Sequence, residues 1–204
     1  MIWQDYLPED IRDLYEVHDY RHCAAILANE FPNEFQELLT AFRQFRITRH
    51  DILTPGGNES SIPKIVSSLL RPLGWKEDQL KAEVVVDGVS VTSDTHKVDY
   101  LKGHVAFDLE WNSKDQTFDR DLFAFQTFHE FGKISAGVLM TRSASLNTVF
   151  QSLGKEIKMK YGASTTWVGK LLPRLDSGRA GGCPILVLGI TPALISDWED
   201  GNHE

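Results

Sequence analysis

At 204 residues, with 42% hydrophobic and 25% charged side chains, the chain has the size and balance of one soluble domain around a single core. No apolar run approaches the ~18 residues needed to cross a bilayer. Met1-Ile2-Trp3-Gln4-Asp5 lacks the basic and apolar regions of a secretion signal, so the cytoplasm is the expected location. A net charge of −8 argues against a protein that coats nucleic acid, but leaves room for an enzyme whose nucleic-acid contacts are confined to one cleft. Cys23 and Cys183 lie far apart, without CxxC or CxxH spacing. Two buried thiols are expected rather than a zinc site or a disulfide.

No repeat or long Pro/Gly/Ser linker divides the chain, so residues 1–204 are expected to form one domain. Its first part, over about 8–75, reads as helical, and an α/β core follows over about 82–192. Pro32 suits a first helical turn, and Phe35, Leu38, Leu39, Phe42 and Phe45 recur near a 3.6-residue period. A second amphipathic helix follows Ser60-Ser61, with Ile62, Ile65, Val66, Leu69, Leu70 and Leu73 on one stripe, and Pro72-Leu73-Gly74 ends it. Asn58 and Glu59 sit just before it, in a Gly-rich lead-in.

The middle of the chain changes to period two. Val84-Val85-Val86, Asp87-Gly88 and Val89-Ser90-Val91 predict a hairpin with a type I′ turn. A further strand is expected over Lys97–Leu101, turning at Lys102-Gly103 and returning through His104 to Asn112. Then come a helix from about Phe118 to Phe131, a strand over Ile134–Thr141, a helix from about Ser145 to Lys160, and a buried strand over Ile185–Ile190. The fold class is α/β, a central mixed sheet flanked by helices.

The returning strand carries the strongest chemical signal. Val105, Phe107, Leu109 and Trp111 alternate along it, so Asp108 and Glu110 share the opposite face. Asp99 precedes the turn, and the hairpin brings it back beside Asp108. Three acids so close repel one another unless a cation compensates. Mg²⁺, which prefers carboxylate oxygens and water, is the economical choice and suits phosphodiester hydrolysis. A bare D-x-E on a strand is also what an amphipathic edge strand with solvated acids looks like. The added Asp before a Lys-Gly turn, and the amphipathic helix that follows, favour the site.

Acid, turn, then acid-x-Lys on the next strand is the pattern of PD-(D/E)xK nucleases. This chain departs from it at Val98, where proline is frequent, and at Glu110, where lysine is commonest. Lys114 could supply a cation from nearby. Leu73-Gly74-Trp75-Lys76-Glu77, Val98–Lys102, Val105–Glu110, Asp121-Leu122-Phe123, Ala136-Gly137-Val138 and Gly178–Ile190 stand in the order and spacing of one branch. In these segments, and in the helix after Pro32, the chain resembles the BglII/BstYI-type, BamHI-like restriction endonucleases. The resemblance implies a restriction-endonuclease-like core and a Type II homodimer that cuts both strands of a short palindrome in double-stranded DNA with Mg²⁺. It implies metal-binding roles for Asp99 and Asp108 and places Glu110 at a variable third position where glutamate or glutamine is accepted. It also implies an auxiliary polar residue at Glu59 or Asn58, and a GATC centre in the target.

For DNA contact, Lys170, Arg174 and Arg179 stand in what reads as a loop before the last strand, with Arg179 leading into Ala180-Gly181-Gly182. Glycines allow close backbone approach, and arginine reads guanine bidentately. A solvated surface loop would look the same. Lys102 and His104 flank the hairpin turn and, with Lys114, complete the candidate DNA contacts; a lone His is more often structural. Phe123, Phe125 and Phe128 are expected to pack in the core or a dimer interface. A modification-dependent or repair nuclease on the same fold, or a non-catalytic DNA-binding module, remain alternatives.

Overall fold

The computed structural model describes residues 2–55 and 60–198, with the backbone alone over 81–86 and 90–95. Asn58 and Glu59 lie outside the described residues. Short helices Glu9–Leu14 (α1), Cys23–Glu30 (α2), Pro32–Gln44 (α3), Arg49–Leu53 (α4) and Ser61–Leu70 (α5) make up most of the first part, but strand Tyr15–Tyr20 (β1) lies between α1 and α2. Strands Lys76–Val86 (β2), Val89–Lys102 (β3) and Val105–Glu110 (β4) follow, then helix Thr117–Glu130 (α6) and strand Ala136–Arg142 (β5). Helices Leu146–Ser152 (α7), Lys155–Lys160 (α8) and Val168–Asp176 (α9) lead to strand Ile185–Ile190 (β6).

Among the described residues six strands form one sheet in the order β1-β6-β5-β4-β3-β2. β4, β5 and β6 run parallel, while β1 and the β2–β3–β4 meander pair antiparallel, so the sheet is mixed as expected. Two cores cover its faces. Phe107, Leu109, Val138 and Leu188 pack against the N-terminal helices through Phe35, Leu38, Phe42 and Leu70. Ala106, Leu139 and Val187 pack against α6 and α9 through Phe118, Leu122, Phe125, Phe128, Leu171 and Leu175. Cys23 and Cys183 are both free and buried. No helix among the described residues is long and apolar enough to cross a membrane.

The structure corrects four expectations. β1 was hidden in a stretch that reads as helical: it is six residues long, half-buried, and the turn that follows it is made by Arg21 and His22 rather than by Gly, Pro or Asn. It gains its partner only when β6 arrives from the far end of the chain, pairing Tyr15 with Ile190 and Tyr20 with Ile185. The two expected strands after the Asp87-Gly88 turn are one 14-residue strand. A backbone ladder is indifferent to side chains, and pairs such as Ala82↔Ser93 and Lys81↔Asp94 carry it through the polar run. The expected 145–160 helix breaks into α7 and α8 at Gly154, whose φ of +109° no right-handed helix accepts. Finally, Lys170 and Arg174 stand on helix α9, not in a loop. Val168, Leu171 and Leu175 are its buried stripe, a period obscured in the sequence by Gly169 and Pro173.

α6 lies close to the sheet because β5 offers no side chain beneath it at Gly137. A Cβ there would stand 2.7 Å from the Phe125 ring. Gly137→Ala should therefore push α6 outward and cost about 1–3 kcal/mol of stability, measured by urea unfolding.

Candidate active site

The acids gather at the C-terminal end of β4. This strand is buried along its whole length, with Phe107 and Leu109 in one core and Ala106 in the other. Alternation therefore turns Asp108 and Glu110 towards α6. Phe107 packs against the tilted rings of Tyr100 and Phe42 at ring-centre distances of 5.5 and 5.8 Å, which pins the strand's opposite face. The pairing Tyr100↔Phe107 sets Asp99 across from Asp108. Asp108 Oδ1 accepts the Asp99 backbone N–H at 2.6 Å, and the Asp99 carboxylate accepts the N–H of Leu109.

Asp108 and Glu110 are 3% and 8% exposed, and α6 brings a further acid, Asp121, at 2%. Glu110 and Asp121 stand within hydrogen-bonding reach of each other, and Ser113 also bonds to Glu110. Arg120 contacts the pair from the solvent side, its Nη2 lying 3.8 Å from Glu110 Oε1 and 3.3 Å from Asp121 Oδ1. Asp121 escapes a search for strand motifs because it rides on a helix. It nonetheless left a signal, because Phe118, Asp121, Phe125 and Phe128 fall on one buried helical stripe. An acid at such a position needs a reason.

The whole cluster resists ionisation. Desolvation, then the charges of Asp99 and Asp121, push Asp108 well above the usual carboxylate range. Desolvation also raises Glu110, against hydrogen bonds from Ser113 and Asp121 that lower it. Asp99, exposed at the rim, is raised by partial enclosure, which the Leu109 N–H and Arg71 oppose. Asp121 is raised to about 8, first by desolvation and then by the Glu110 charge. A divalent cation would reverse this balance, and the donors suit a hard one because all are carboxylate oxygens. Arg120 meets one oxygen of each carboxylate, and the other oxygens, Glu110 Oε2 and Asp121 Oδ2, are buried without a partner. Among the described residues no three acid, imidazole or thiolate groups close on one point as a ready-made cage. The residues fit a cation completed by water and phosphate oxygens.

The other residues singled out from the sequence are scattered. Lys102 lies on the face towards α3, where Glu37 accepts from its ammonium at 2.6 and 2.7 Å and the Leu73 carbonyl at 2.8 Å. His104 is exposed in the turn, its ring 6.3 Å from Phe31. It stands about 13 Å of strand away from Asp108. Lys114 is exposed and close in sequence to the acids, in a segment bridged to Thr165. Lys170, Arg174 and Arg179 share two acids, Asp115 just before α6 and Asp119 in its first turn. Lys170 lies 3.8 Å from Asp115, Arg174 lies 3.6 Å from Asp115 and 3.0 Å from Asp119, and Arg179 pairs with Asp119.

The segment that leaves the acids is held by Arg142, 1% exposed at the end of β5. Its Nε donates to the Trp111 carbonyl at 2.8 Å and its Nη2 to Thr165 Oγ1, among the rings of Trp111, Phe150 and Tyr161. Burial lowers its pKa to about 10, which leaves it charged at neutral pH. The guanidinium thus ties the ends of β4 and β5 together just beyond Glu110.

The acids set the pH response of the metal-free protein. The folded state keeps the Asp121 proton up to about pH 8, whereas the unfolded chain releases it near the ordinary carboxylate value. The folded state therefore binds more protons between these limits, and stability present at the acid end is lost as pH rises. In EDTA the melting temperature should fall from about pH 5 to about pH 8, and Asp121→Asn should flatten that slope. Differential scanning fluorimetry across this range checks it; an equally steep slope in the variant contradicts it.

A family model described as restriction endonuclease BglII/BglIII matches residues 15–190, a span that takes in all six strands and the acids at Asp99, Asp108, Glu110 and Asp121. No individual curated protein matches the chain. The mixed sheet flanked by helices is the architecture expected of that family. The chain thus belongs to the BglII/BglIII restriction endonucleases, type II site-specific deoxyribonucleases of the PD-(D/E)xK kind.

Proposed function

We propose that the protein is a Mg²⁺-dependent homodimer that cuts both strands of a short palindrome with a GATC centre. The carrying observation is the buried acid cluster at the end of β4, with Asp99 across from it. Asp99, Asp108 and Glu110 hold the cation, and Glu59 is a further candidate from outside the described residues. When bound, the cation polarises the scissile phosphate and acidifies a water. The chain's own part is to hold these carboxylates in place. The Asp99 N–H fixes Asp108, the Leu109 N–H fixes Asp99, and Ser113 steadies Glu110. Lys114, exposed just beyond Glu110, is a candidate phosphate contact.

Lys170, Arg174 and Arg179 are the proposed DNA contacts on the α9 side. They set three cations against Asp115 and Asp119, so the group carries a surplus positive charge towards phosphate. Arg179 is the candidate for reading a base, because its side chain is 55% exposed against 37% for Lys170 and 16% for Arg174. A bidentate arginine–guanine pair carries roughly 1–3 kcal/mol of discrimination.

Cleavage of a randomised DNA library, with the cut ends sequenced, tests these assignments together. Wild type should cut in Mg²⁺ and not in EDTA, at a palindrome centred on GATC. Asp108→Asn should fall to background without melting earlier, because it relieves repulsion. Arg179→Ala should lose about tenfold or more and relax one position of the site. Cutting in excess EDTA would reject the metal, a selected site without GATC would reject the core sequence, and an unchanged Arg179→Ala would reject the base contact.

Two-fold symmetry reads a palindrome most simply, and one acid cluster per chain serves one strand. α6 supports a dimer through Phe123 and its terminal neighbour Phe131, which are 52% and 53% exposed, whereas Phe118, Phe125 and Phe128 are spent in the chain's own core. Sedimentation should find a dimer that Phe123→Glu weakens; a wild-type monomer both free and on cognate DNA would contradict it.

A further inference from the structure

Asp121 is an acid for which the assigned chemistry has no use. It occupies the buried stripe of α6, between Phe118 and Phe125, where an apolar residue would serve packing better. Its Oδ1 receives long contacts of 3.3 Å from Nε and Nη2 of Arg120, and its Oδ2 is buried with no partner. Glu110 mirrors it, with Oε1 3.8 Å from Arg120 and Oε2 buried without a partner. Each carboxylate is within hydrogen-bonding reach of the other, and with no cation present the proton that Asp121 keeps is what the two share. Such an arrangement calls for a positive charge between the oxygens.

We propose that Glu110 and Asp121 together hold a divalent cation, so that α6 contributes an acid of its own to the metal centre. The proposal deepens the divalent-cation reading of Asp99, Asp108 and Glu110 and rests on it. Mg²⁺ commonly binds through one or two carboxylates and takes its remaining ligands from water and phosphate. A pair is therefore enough where no three acids among the described residues converge. The scaffold on both sides is rigid. Glu110 ends a strand buried throughout, and Asp121 is held down by Phe118 and Phe125, both 0% exposed. Arg120 occupies the outer oxygens and leaves the inner ones to the ion.

A role confined to orienting Glu110 makes a different forecast. The amide in Asp121→Asn can still donate a hydrogen bond to Glu110, so it preserves orientation while removing charge. The test is Mn²⁺ binding to the metal-depleted full chain without DNA, followed by the electron paramagnetic resonance signal of free Mn²⁺. Asp121→Asn and Glu110→Gln should each weaken binding by about tenfold or more. The double variant should be little worse than either, since both lose the same ion. If Glu110→Gln weakens Mn²⁺ binding but Asp121→Asn leaves it unchanged, the proposal is overturned and the metal reading stands. Additive losses in the double variant would also overturn it, and absence of Mn²⁺ binding by wild type would overturn both. Should Asp121→Asn not fold, Asp121→Ser carries the same comparison.

Discussion

Carboxylates packed beside one another in a protein interior repel and lose hydration. Asp108, Glu110 and Asp121 are all under a tenth exposed, with Asp99 at their rim. Only Arg120 contacts Glu110 and Asp121 as an ion-pair partner among the described residues, and at 48% exposure its charge is strongly screened. The fold has to hold together against this cluster. A sheet with both faces covered, and an α6 packed down to the backbone of Gly137, supply the rigidity that does so.

The same constraint explains how the surroundings are built. β4 is central, paired with parallel β5 along its whole length and with antiparallel β3 as far as Phe107, beyond which the Asp99 N–H bond to Asp108 continues the contact. Backbone N–H groups, which carry no charge and do not move, hold Asp99 and Asp108. Arg142 fixes the departing segment from behind without spending a carboxylate on its own charge, relying on a carbonyl, a hydroxyl and aromatic faces. The acids at the end of β4 therefore keep only the screened Arg120 on their outer oxygens, and the inner oxygens of Glu110 and Asp121 have no partner.

Charge elsewhere is distributed differently. Lys170, Arg174 and Arg179 gather on Asp115 just before α6 and on Asp119 in its first turn, and the two Asp119 arginines, against desolvation, hold that carboxyl below its usual range. Hence α6 carries at its first turns both an acid paired with arginines and an acid that faces the cluster. Their separation of two residues turns Asp119 and Asp121 to different sides of the helix. A net charge of −8 is compatible with a DNA enzyme because its positive groups are local.

By itself the sequence determined the period-two strand of β4, the shared face of Asp108 and Glu110, and the hairpin that returns Asp99, because alternation and turn chemistry are local properties. It also placed α3, α5 and α6, whose apolar stripes are long enough to show a 3.6-residue period. Only the tertiary structure decided the rest. β1 is a strand because β6, some 170 residues away in the sequence, offers it an edge. Lys102 turned out to be bound to Glu37 because the pleat sends it to the opposite face from Asp99. Asp121 joined Glu110 because helix packing sets which acid on α6 meets the sheet, and no spacing within the chain encodes that distance.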